Sequence, residues 1–152
     1  MQIQKTNIPL ALDTKRIFII NDDISKQDLV VKLVNAACAD LPQINKEDVL
    51  SAVLKREQGI STTLDTGLSI PHARVEDLTA FQAAAAVLPN GITDDYGLQI
   101  KTMFLFLSPA GPAYFPQHLK LLAALAEKFN ADFITDLTAC KTEAEVLQKI
   151  SF

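Results

Sequence analysis

The sequence lacks any apolar run long enough to cross a membrane. Its longest runs, residues 83–88 and 103–107, fall far short of the roughly 20 residues that a transmembrane helix needs. Its first residues, MQIQKTNIPLALDTKR, also lack the apolar core of a secretory signal. We therefore expect a cytoplasmic protein without direct membrane insertion.

Cysteine and basic charge are also scarce. The two cysteines, Cys38 and Cys140, form neither a CxxC pair nor a dense framework, so we expect reduced thiols that pack as small hydrophobic side chains. The 14 lysines and arginines stand against 18 acidic residues, which gives a net charge of −4. This balance argues against a nucleic-acid partner and suits a basic protein partner.

No internal repeat, low-complexity tract or linker interrupts the chain. Its 152 residues are 49% hydrophobic and 21% charged, which is typical of one globular domain with one core. We expect a single domain that spans residues 1–152.

Four short segments have the composition of β-strands. Residues 16–20 are rich in β-branched and aromatic side chains, whereas residues 81–88 and 101–107 are continuous apolar runs typical of interior strands. Residues 68–70 form a shorter strand, which Pro71 should end because proline cannot donate a ladder hydrogen bond. The alanines within 81–88 favour a helix by propensity, but the short length before a Pro-Asn-Gly turn signal favours a strand.

Capping residues and helical periodicity predict five helices. The predicted N-caps are Ser25, Asn45, Asn130 and Thr142, and Gly59 should end the second helix. An irregular loop at Pro109, Pro112 and Pro116 precedes the third helix. That helix should span residues 117–129, with Leu119, Leu122, Ala126 and Phe129 as its core stripe. Buried strands mixed with amphipathic helices indicate an α/β fold: a mixed β-sheet flanked by helices on both faces, an α/β/α sandwich.

His72 is the first candidate for chemistry. It directly follows Pro71, which fixes the local backbone, so the ring should be presented rather than buried. Near neutral pH an imidazole can be a base, a metal ligand or a nucleophile. A helical turn from Ala73 would aim free N–H groups at an anion on the ring, and Thr62, Thr63 and Thr66 would add hydroxyl donors. The alternative is that His72 lies in a turn and has no chemical role.

Arg56 and His118 are the other candidates. Arg56 supplies a permanent charge whose forked donors suit phosphoryl oxygens, although a basic residue in the last turn of a helix also complements the helix dipole. His118 lies in the first turn of the third helix, where the dipole lowers the pKa of a histidine and favours its neutral ring. It could equally be a capping or surface residue. Sequence spacing alone does not bring Arg56, His72 and His118 together.

One long motif connects these residues to a known family. The string REQGISTTLDTGLSIPHAR, followed by HLKLLAALA from His118, resembles the fructose/mannitol-type enzyme IIA domain of the bacterial phosphotransferase system (PTS). The resemblance includes a relative of that domain, the IIA-like nitrogen-regulatory protein, and covers nearly the whole chain. Arg56, His72 and His118 match the arginine, the phosphorylated histidine and the second histidine of the family, and Glu57 matches the acid beside the arginine. The family usually has GIAIPH or GVAIPH, so the Ser69 of GLSIPH must find a hydrogen bond or face the site.

The resemblance implies a phosphotransferase component. His72 would take a phosphoryl group from the phosphocarrier protein HPr, or from a nitrogen-branch homologue, and yield it to a cysteine of a IIB domain. Arg56, His118 and the backbone N–H groups after His72 would stabilise the transferred group, and no metal or organic cofactor is required. Alternatively, a standalone regulatory protein would report its phosphorylation state to partner proteins. The segment around Thr63 and Leu64 departs from the family pattern, which bears on the choice of partner.

Other classes of function stay open at this point. A metal site would use His72, His118 and a cysteine, but the spacing matches no zinc template. A hydrolase would need a triad drawn from Ser61, Ser69 and Asp65, but the sequence has no GxSxG nucleophile elbow. A binding domain that has lost phosphotransfer would contain an unreactive His72.

Overall fold

A computed structural model describes residues 10–59 and 62–151 of the chain. The described residues form six strands: β1 Leu10–Ala11, β2 Ile17–Ile19, β3 Leu68–Ser69, β4 His72–Val75, β5 Phe81–Thr93 and β6 Gln99–Pro109. The five α-helices are α1 Lys26–Ala37, α2 Lys46–Gly59, α3 Phe115–Lys128, α4 Ala131–Thr138 and α5 Glu143–Ile150. Two short 3₁₀ turns, Thr14–Arg16 and Pro112–Tyr114, precede β2 and α3.

The strands form one mixed sheet around a long central hairpin. β5 and β6 pair antiparallel, and they are the two longest strands. β1 and β2 both run parallel to β5 on one side of the hairpin, and β3 and β4 both run parallel to β6 on the other side. In the last of these pairings His72 lies opposite Phe106, and Arg74 lies opposite Ser108.

Helices cover both faces of this sheet. One core packs α1 and α2 against residues such as Ala84, Ala86 and Leu105, and the other packs α3, α4 and α5 against Ala85 and Phe104. Successive strand residues point to opposite faces, so both faces of the central hairpin need apolar side chains. The fold is therefore the α/β/α sandwich that the sequence predicts.

The run of four alanines is a buried strand, as predicted. Ala83 lies opposite Phe106 and Ala85 lies opposite Phe104 in the central hairpin. Directly opposite residues share a face of the sheet, so each small side chain leaves room for a phenylalanine ring beside it. The four alanines are at most 1% exposed.

The predicted helix caps are confirmed. The side chains of Ser25, Asn45, Asn130 and Thr142 accept hydrogen bonds from backbone N–H groups in the first turns of α1, α2, α4 and α5. Each bond satisfies a donor that has no partner inside its helix. The second helix ends at Gly59, as the sequence indicates.

Several strand boundaries differ from the prediction. β5 does not end before Pro89 but continues to Thr93, and its pairing with β6 shifts register between Val87 and Ile92. The shift lets the strand absorb a proline that cannot donate to the ladder. The strand before Pro71 ends there, as predicted, but the chain resumes pairing at once in β4, a strand that the sequence does not predict.

The buried face of α3 also differs from the prediction. Leu119 is 49% exposed and Ala126 is exposed, whereas His118, Leu121, Ala124 and Leu125 are buried. The helix begins at Phe115 with Pro116 in its first turn, so this proline belongs to the helix and not to the loop. Of the predicted stripe, Phe129 is buried and Leu122 packs at the edge of the core. Because His118 faces the sheet, the buried face of α3 is rotated by about one residue from the core stripe that the sequence predicts.

Candidate active site

His72 begins β4, and its ring lies inside the molecule. It stacks on Phe106, its register partner in β6, with ring centroids 5.3 Å apart and planes 8° apart. The residue is only 3% exposed, so the expectation that Pro71 presents this ring to solvent is wrong. Since β4 continues the sheet after Pro71, it carries the ring under neighbouring side chains rather than out of a turn.

The hydrogen bonds of His72 determine which of its ring nitrogens carries the hydrogen. Nδ1 lies 2.7 Å from the carbonyl oxygen of Ile70, which only accepts, so Nδ1 carries the hydrogen. Nε2 accepts a hydrogen bond of 2.8 Å from Nε of Arg56. Burial, followed by the positive charge of Arg56, lowers the pKa of His72 against the opposing effects of Ile70 and Glu57. The ring is therefore neutral near pH 7, and its free lone pair lies on Nε2, where an imidazole can act as a nucleophile.

Arg56 lies in the last turn of α2, with an exposed side chain beside the buried histidine. The next residue, Glu57, fixes this end of the helix. Its carboxylate accepts from Oγ1 of Thr62 at 2.9 and 2.8 Å and pairs with Nζ of Lys26 at 3.1 Å. These contacts of Glu57 hold the end of α2 that carries Arg56, while the side chain of Arg56 remains exposed.

His118 lies on the other side of His72. The two ring centroids are 5.3 Å apart with planes at 58°, and His118 is 3% exposed. Its Nδ1 is 2.5 Å from Oγ of Ser108, and the ring of Phe115 stacks on it at 6.1 Å. Burial, followed by repulsion from the protonated form of His72 and from the charges of Arg56 and Arg74, lowers the pKa of His118 to about 4. The neutral ring is as predicted, although burial rather than the helix dipole is the largest cause.

The structure therefore brings all of the predicted site residues together. Arg56 hydrogen-bonds to His72, and His118 contacts His72 from α3. They come from two helices and one strand, which lie far apart along the chain. The cluster combines one nucleophilic nitrogen, one guanidinium and one neutral imidazole, a set that suits the transfer of an anionic group.

One predicted source of further donors is wrong, and two of the three threonines predicted as another source are committed to other partners. Ala73 belongs to β4 and pairs with Leu107, so no helical turn begins there to supply free N–H groups. The hydroxyl of Thr62 is committed to Glu57, and that of Thr63 is directed to Ser69 Oγ at 3.4 Å. Of the three predicted threonines, only Thr66 has a buried Oγ1 without a partner within residues 10–59 and 62–151. The positive charge at the site therefore comes from side chains.

Sequence reasoning does not identify two further residues near the site, Arg74 and Ser108. Arg74 donates to the carbonyl oxygens of Ala110 and Gly111 at 2.9 and 3.0 Å, and its guanidinium lies 4.9 Å from the ring centroid of Phe115. Ser108 contacts His118. Predicting β4 would have revealed Arg74, because residues two apart on a strand share a face. No sequence signal marks Ser108.

The alternative classes find little support in the described residues. Over residues 10–59 and 62–151, no group of three histidine, cysteine, aspartate or glutamate side chains could hold a metal ion. Cys38 and Cys140 lie in different cores on opposite faces of the sheet. Ser69 is fully buried and bonded to Thr63, and Asp65 is exposed, which gives no triad; Ser61 lies outside the described residues.

None of the helices within residues 10–59 and 62–151 has both the length and the apolar character that a transmembrane helix requires.

Comparisons with known proteins find relatives over most of the chain. Residues 11–152 match the family model described as "Phosphoenolpyruvate-dependent sugar phosphotransferase system, EIIA 2". Among curated proteins, the nitrogen regulatory protein of Pseudomonas aeruginosa is 25% identical over 128 residues, which cover 83% of this chain and 82% of the relative. The nitrogen regulatory protein of Bradyrhizobium diazoefficiens is 27% identical over 128 residues, with the same coverage of both chains.

Solved structures share the fold. The nitrogen regulatory protein IIA-Ntr of Neisseria meningitidis has a TM-score of 0.78 at 22% identity and covers 93% of this chain and 96% of its own. The IIA mannitol protein of Escherichia coli has a TM-score of 0.74 at 16% identity, covering 93% and 99%. The mannitol IIA enzyme in complex with phosphorylated IIB from Escherichia coli has a TM-score of 0.70 at 13% identity, covering 92% and 96%.

The family model covers nearly the whole chain, and the solved structures reproduce its sheet and helices over more than nine-tenths of its length. The resemblance inferred from the motif around His72 is confirmed. The chain belongs to the EIIA type 2 family of the phosphoenolpyruvate-dependent sugar phosphotransferase system.

Proposed function

We propose that this chain is a phosphocarrier that accepts a phosphoryl group on Nε2 of His72. The observation that carries the proposal is the pair of hydrogen bonds on this ring. Ile70 holds the proton on Nδ1, and Arg56 Nε lies 2.8 Å from the free nitrogen. The neutral ring therefore has one lone pair for attack, next to a permanent positive charge that an arriving phosphoryl group needs.

The transfer step is an in-line exchange between two nitrogens. The lone pair of His72 Nε2 forms the new N–P bond, the N–P bond of the donor phosphohistidine breaks, and the donor ring recovers its electron pair. The proton stays on Nδ1 of His72, which donates it in a hydrogen bond to the carbonyl oxygen of Ile70 throughout, so the step needs no general base. Arg56 moves from Nε2 to the phosphoryl oxygens, and the neutral ring of His118 donates to them as well.

The donor is HPr or a nitrogen-branch homologue, and the acceptor for transport is a cysteine of a IIB domain. In that second step the cysteine thiolate attacks phosphorus, and the N–P bond at His72 breaks. Support for this acceptor comes from the mannitol IIA enzyme of the same fold that was solved with phosphorylated IIB. The acidic net charge of −4 suits a basic donor protein.

Two exposed apolar side chains flank the site and suit partner docking. Phe115 is 44% exposed and Leu119 is 49% exposed, and they lie one turn apart on α3. Arg74, over the ring of Phe115, adds a charged rim. An apolar centre with a charged rim is typical of a transient protein interface.

A regulatory role is the second candidate. The observation in its favour is that both curated relatives are nitrogen regulatory proteins. In this case His72 is phosphorylated in the same way, but the phosphorylation state controls a partner protein instead of feeding sugar uptake. The two roles share the chemistry of the site and differ in the acceptor.

The test is phosphorylation of the purified chain by phosphoenolpyruvate, enzyme I and HPr, followed by intact mass measurement. We expect the mass of one acid-labile phosphoryl group, which His72→Ala does not gain. His118→Gln serves as the matched control because it removes the other histidine and should still be labelled, although more slowly. Equal labelling of His72→Ala and the parent chain would refute the assignment.

A screen of IIB domains then separates the two roles. Transport predicts rapid loss of the label to at least one IIB cysteine and none to a Cys→Ser variant of that domain. Retention of the label against every IIB domain encoded in the same genome would favour regulation.

A further inference from the structure

Ser108 is a buried hydroxyl that the mechanism above does not use. It lies near the end of β6, is fully buried, and is the register partner of Arg74 in β4. Its Oγ is 2.5 Å from Nδ1 of His118. Within residues 10–59 and 62–151, Nδ1 of His118 is the hydrogen-bond partner of the Ser108 hydroxyl.

The direction of this bond follows from counting protons. If Nδ1 of His118 donated to Oγ, the hydroxyl proton of Ser108 would be buried without an acceptor, which is costly. If the hydroxyl donates instead, its single proton is satisfied and the lone pair of Nδ1 is used. The second arrangement pairs the hydroxyl proton and places the hydrogen of the neutral His118 ring on Nε2, which is not among the fully buried, unpartnered side-chain atoms of the described residues.

The two histidines of the site then hold opposite tautomers. A carbonyl, which only accepts, keeps the proton of His72 on Nδ1 and frees Nε2 as a nucleophile. A hydroxyl with one proton to give occupies Nδ1 of His118 and leaves its Nε2–H as a donor. The 5.3 Å between the ring centroids places this donor ring beside the nucleophile.

We propose that Ser108 is a positioning residue that fixes His118 as its Nε2–H tautomer, so that this ring acts as a neutral hydrogen-bond donor to the phosphoryl group on His72. The tautomer assignment holds for the unphosphorylated chain, whereas the consequence for transfer rests on the proposed function. The bond also holds the orientation of the ring, because it ties α3 to the end of β6. Because this donor ring is neutral, it holds the phosphoryl group by a hydrogen bond and not by an ion pair. Such a contact suits a group that must be passed on.

The direct test is the tautomeric state of both rings in the unphosphorylated protein, read near neutral pH from long-range ¹H–¹⁵N NMR. In the parent chain we expect the hydrogen on Nε2 in His118 and on Nδ1 in His72. In Ser108→Ala the two nitrogen shifts of His118 should converge towards a mixture of tautomers. A parent His118 protonated on Nδ1, or a His118 spectrum unchanged in Ser108→Ala, would overturn the proposal.

Two controls separate this effect from loss of structure. His72 should keep its Nδ1–H tautomer in Ser108→Ala, because Ile70 is untouched. Ser108→Thr keeps the hydroxyl and should restore the single tautomer of His118. If the threonine does not restore it in a variant whose His72 spectrum is native, a hydroxyl at this position is not what selects the tautomer.

Phosphoryl uptake supplies a second and independent readout. We expect Ser108→Ala to slow transfer by about fivefold, the effect of one hydrogen bond of ~1 kcal/mol. In a His118→Gln background the same substitution should cause no further loss, because the amide has no tautomer to select. Additive losses would show that Ser108 acts independently of His118. A parent chain with the expected tautomers that takes up no phosphoryl group would refute the proposed function and leave the tautomer assignment standing.

Discussion

At the scale of single residues, Arg56 combines an exposed position with a hydrogen bond to the buried ring of His72. Arg56→Ala should slow phosphoryl uptake by roughly 100- to 1,000-fold, the loss typical of one transition-state donor, while stability changes little. Because the charge of Arg56 lowers the pKa of His72, the same variant should raise that pKa. Transfer kinetics and an NMR titration of His72 measure the two effects.

Lys55→Ala is the matched control for this prediction, since it removes an exposed positive charge one residue away on the same helix. It should leave both the transfer rate and the titration of His72 unchanged. If Arg56→Ala behaves like Lys55→Ala, the guanidinium of Arg56 only complements the dipole at the end of α2 and has no role in transfer.

His118 makes the stability of the fold depend on pH. Its pKa is about 4 in the folded protein against 6.5 for an unperturbed histidine, so the unfolded state binds more protons between these values. The contribution of the neutral ring is fully present above pH 6.5 and is lost as the pH falls towards 4. We expect the free energy of unfolding, measured with urea across this range, to fall less steeply in His118→Gln. Parallel curves for the two proteins would contradict the lowered pKa.

The sequence predicts the identity of the site residues better than their surroundings. Arg56, His72 and His118 lie together in one cluster, and Ser69 finds the hydrogen bond that its burial requires. The burial of His72 was missed because Pro71 suggests a turn. Exposure depends on which strand follows, and neighbouring residues alone do not determine this.

At the scale of elements, the end of α2 is held by a small charged network. Glu57 binds Thr62 and Lys26, and its side chain is only 8% exposed. Glu57→Gln should lower the free energy of unfolding by about 1.5–3 kcal/mol, because it weakens hydrogen bonds to a charged group that is nearly buried. Transfer should slow too, since the backbone of Arg56 loses its anchor. Urea denaturation and transfer kinetics measure these changes.

Glu127→Gln, an exposed acid on α3, is the control for charge removal and should be nearly neutral in both measurements. An effect of Glu57→Gln no larger than this control would mean that the network at the end of α2 contributes nothing.

Helix starts are predictable here and strand ends are not. A cap such as Ser25 or Asn130 acts within three residues of its own position, so the sequence carries the whole signal. The four residues of β4 pair with β6 about 34 positions further along the chain. Pro71, directly before β4, suggests a turn and not the start of a strand. The rotation of α3 was missed for a similar reason, because a polar residue, His118, occupies the face that packs against the sheet.

At the scale of the whole molecule, what joins the three site residues is the sandwich itself. α2 covers one face of the sheet and brings Arg56, whereas α3 covers the other face and brings His118. β4 lies between them at the side of β6 and carries His72. The apolar strands predict the two-sided sheet, but hydrophobic patterning does not say which helix takes which face, so the meeting of these residues could be inferred only from the family resemblance.

The opposite faces of β5 therefore offer a test that separates stability from the site. Ala83 and Ala84 are adjacent in β5, and both are fully buried. Ala83 lies beside Phe106, on which His72 stacks. Ala84 packs on the other face of the sheet, in the core with α1 and α2. Valine at either position overpacks its core, so both variants should lose about 1–3 kcal/mol of unfolding free energy in urea. Ala83→Val alone should also displace Phe106, shift the ring resonances of His72 and slow transfer. Equal transfer rates in the two variants would mean that the stack of His72 on Phe106 does not position the nucleophile.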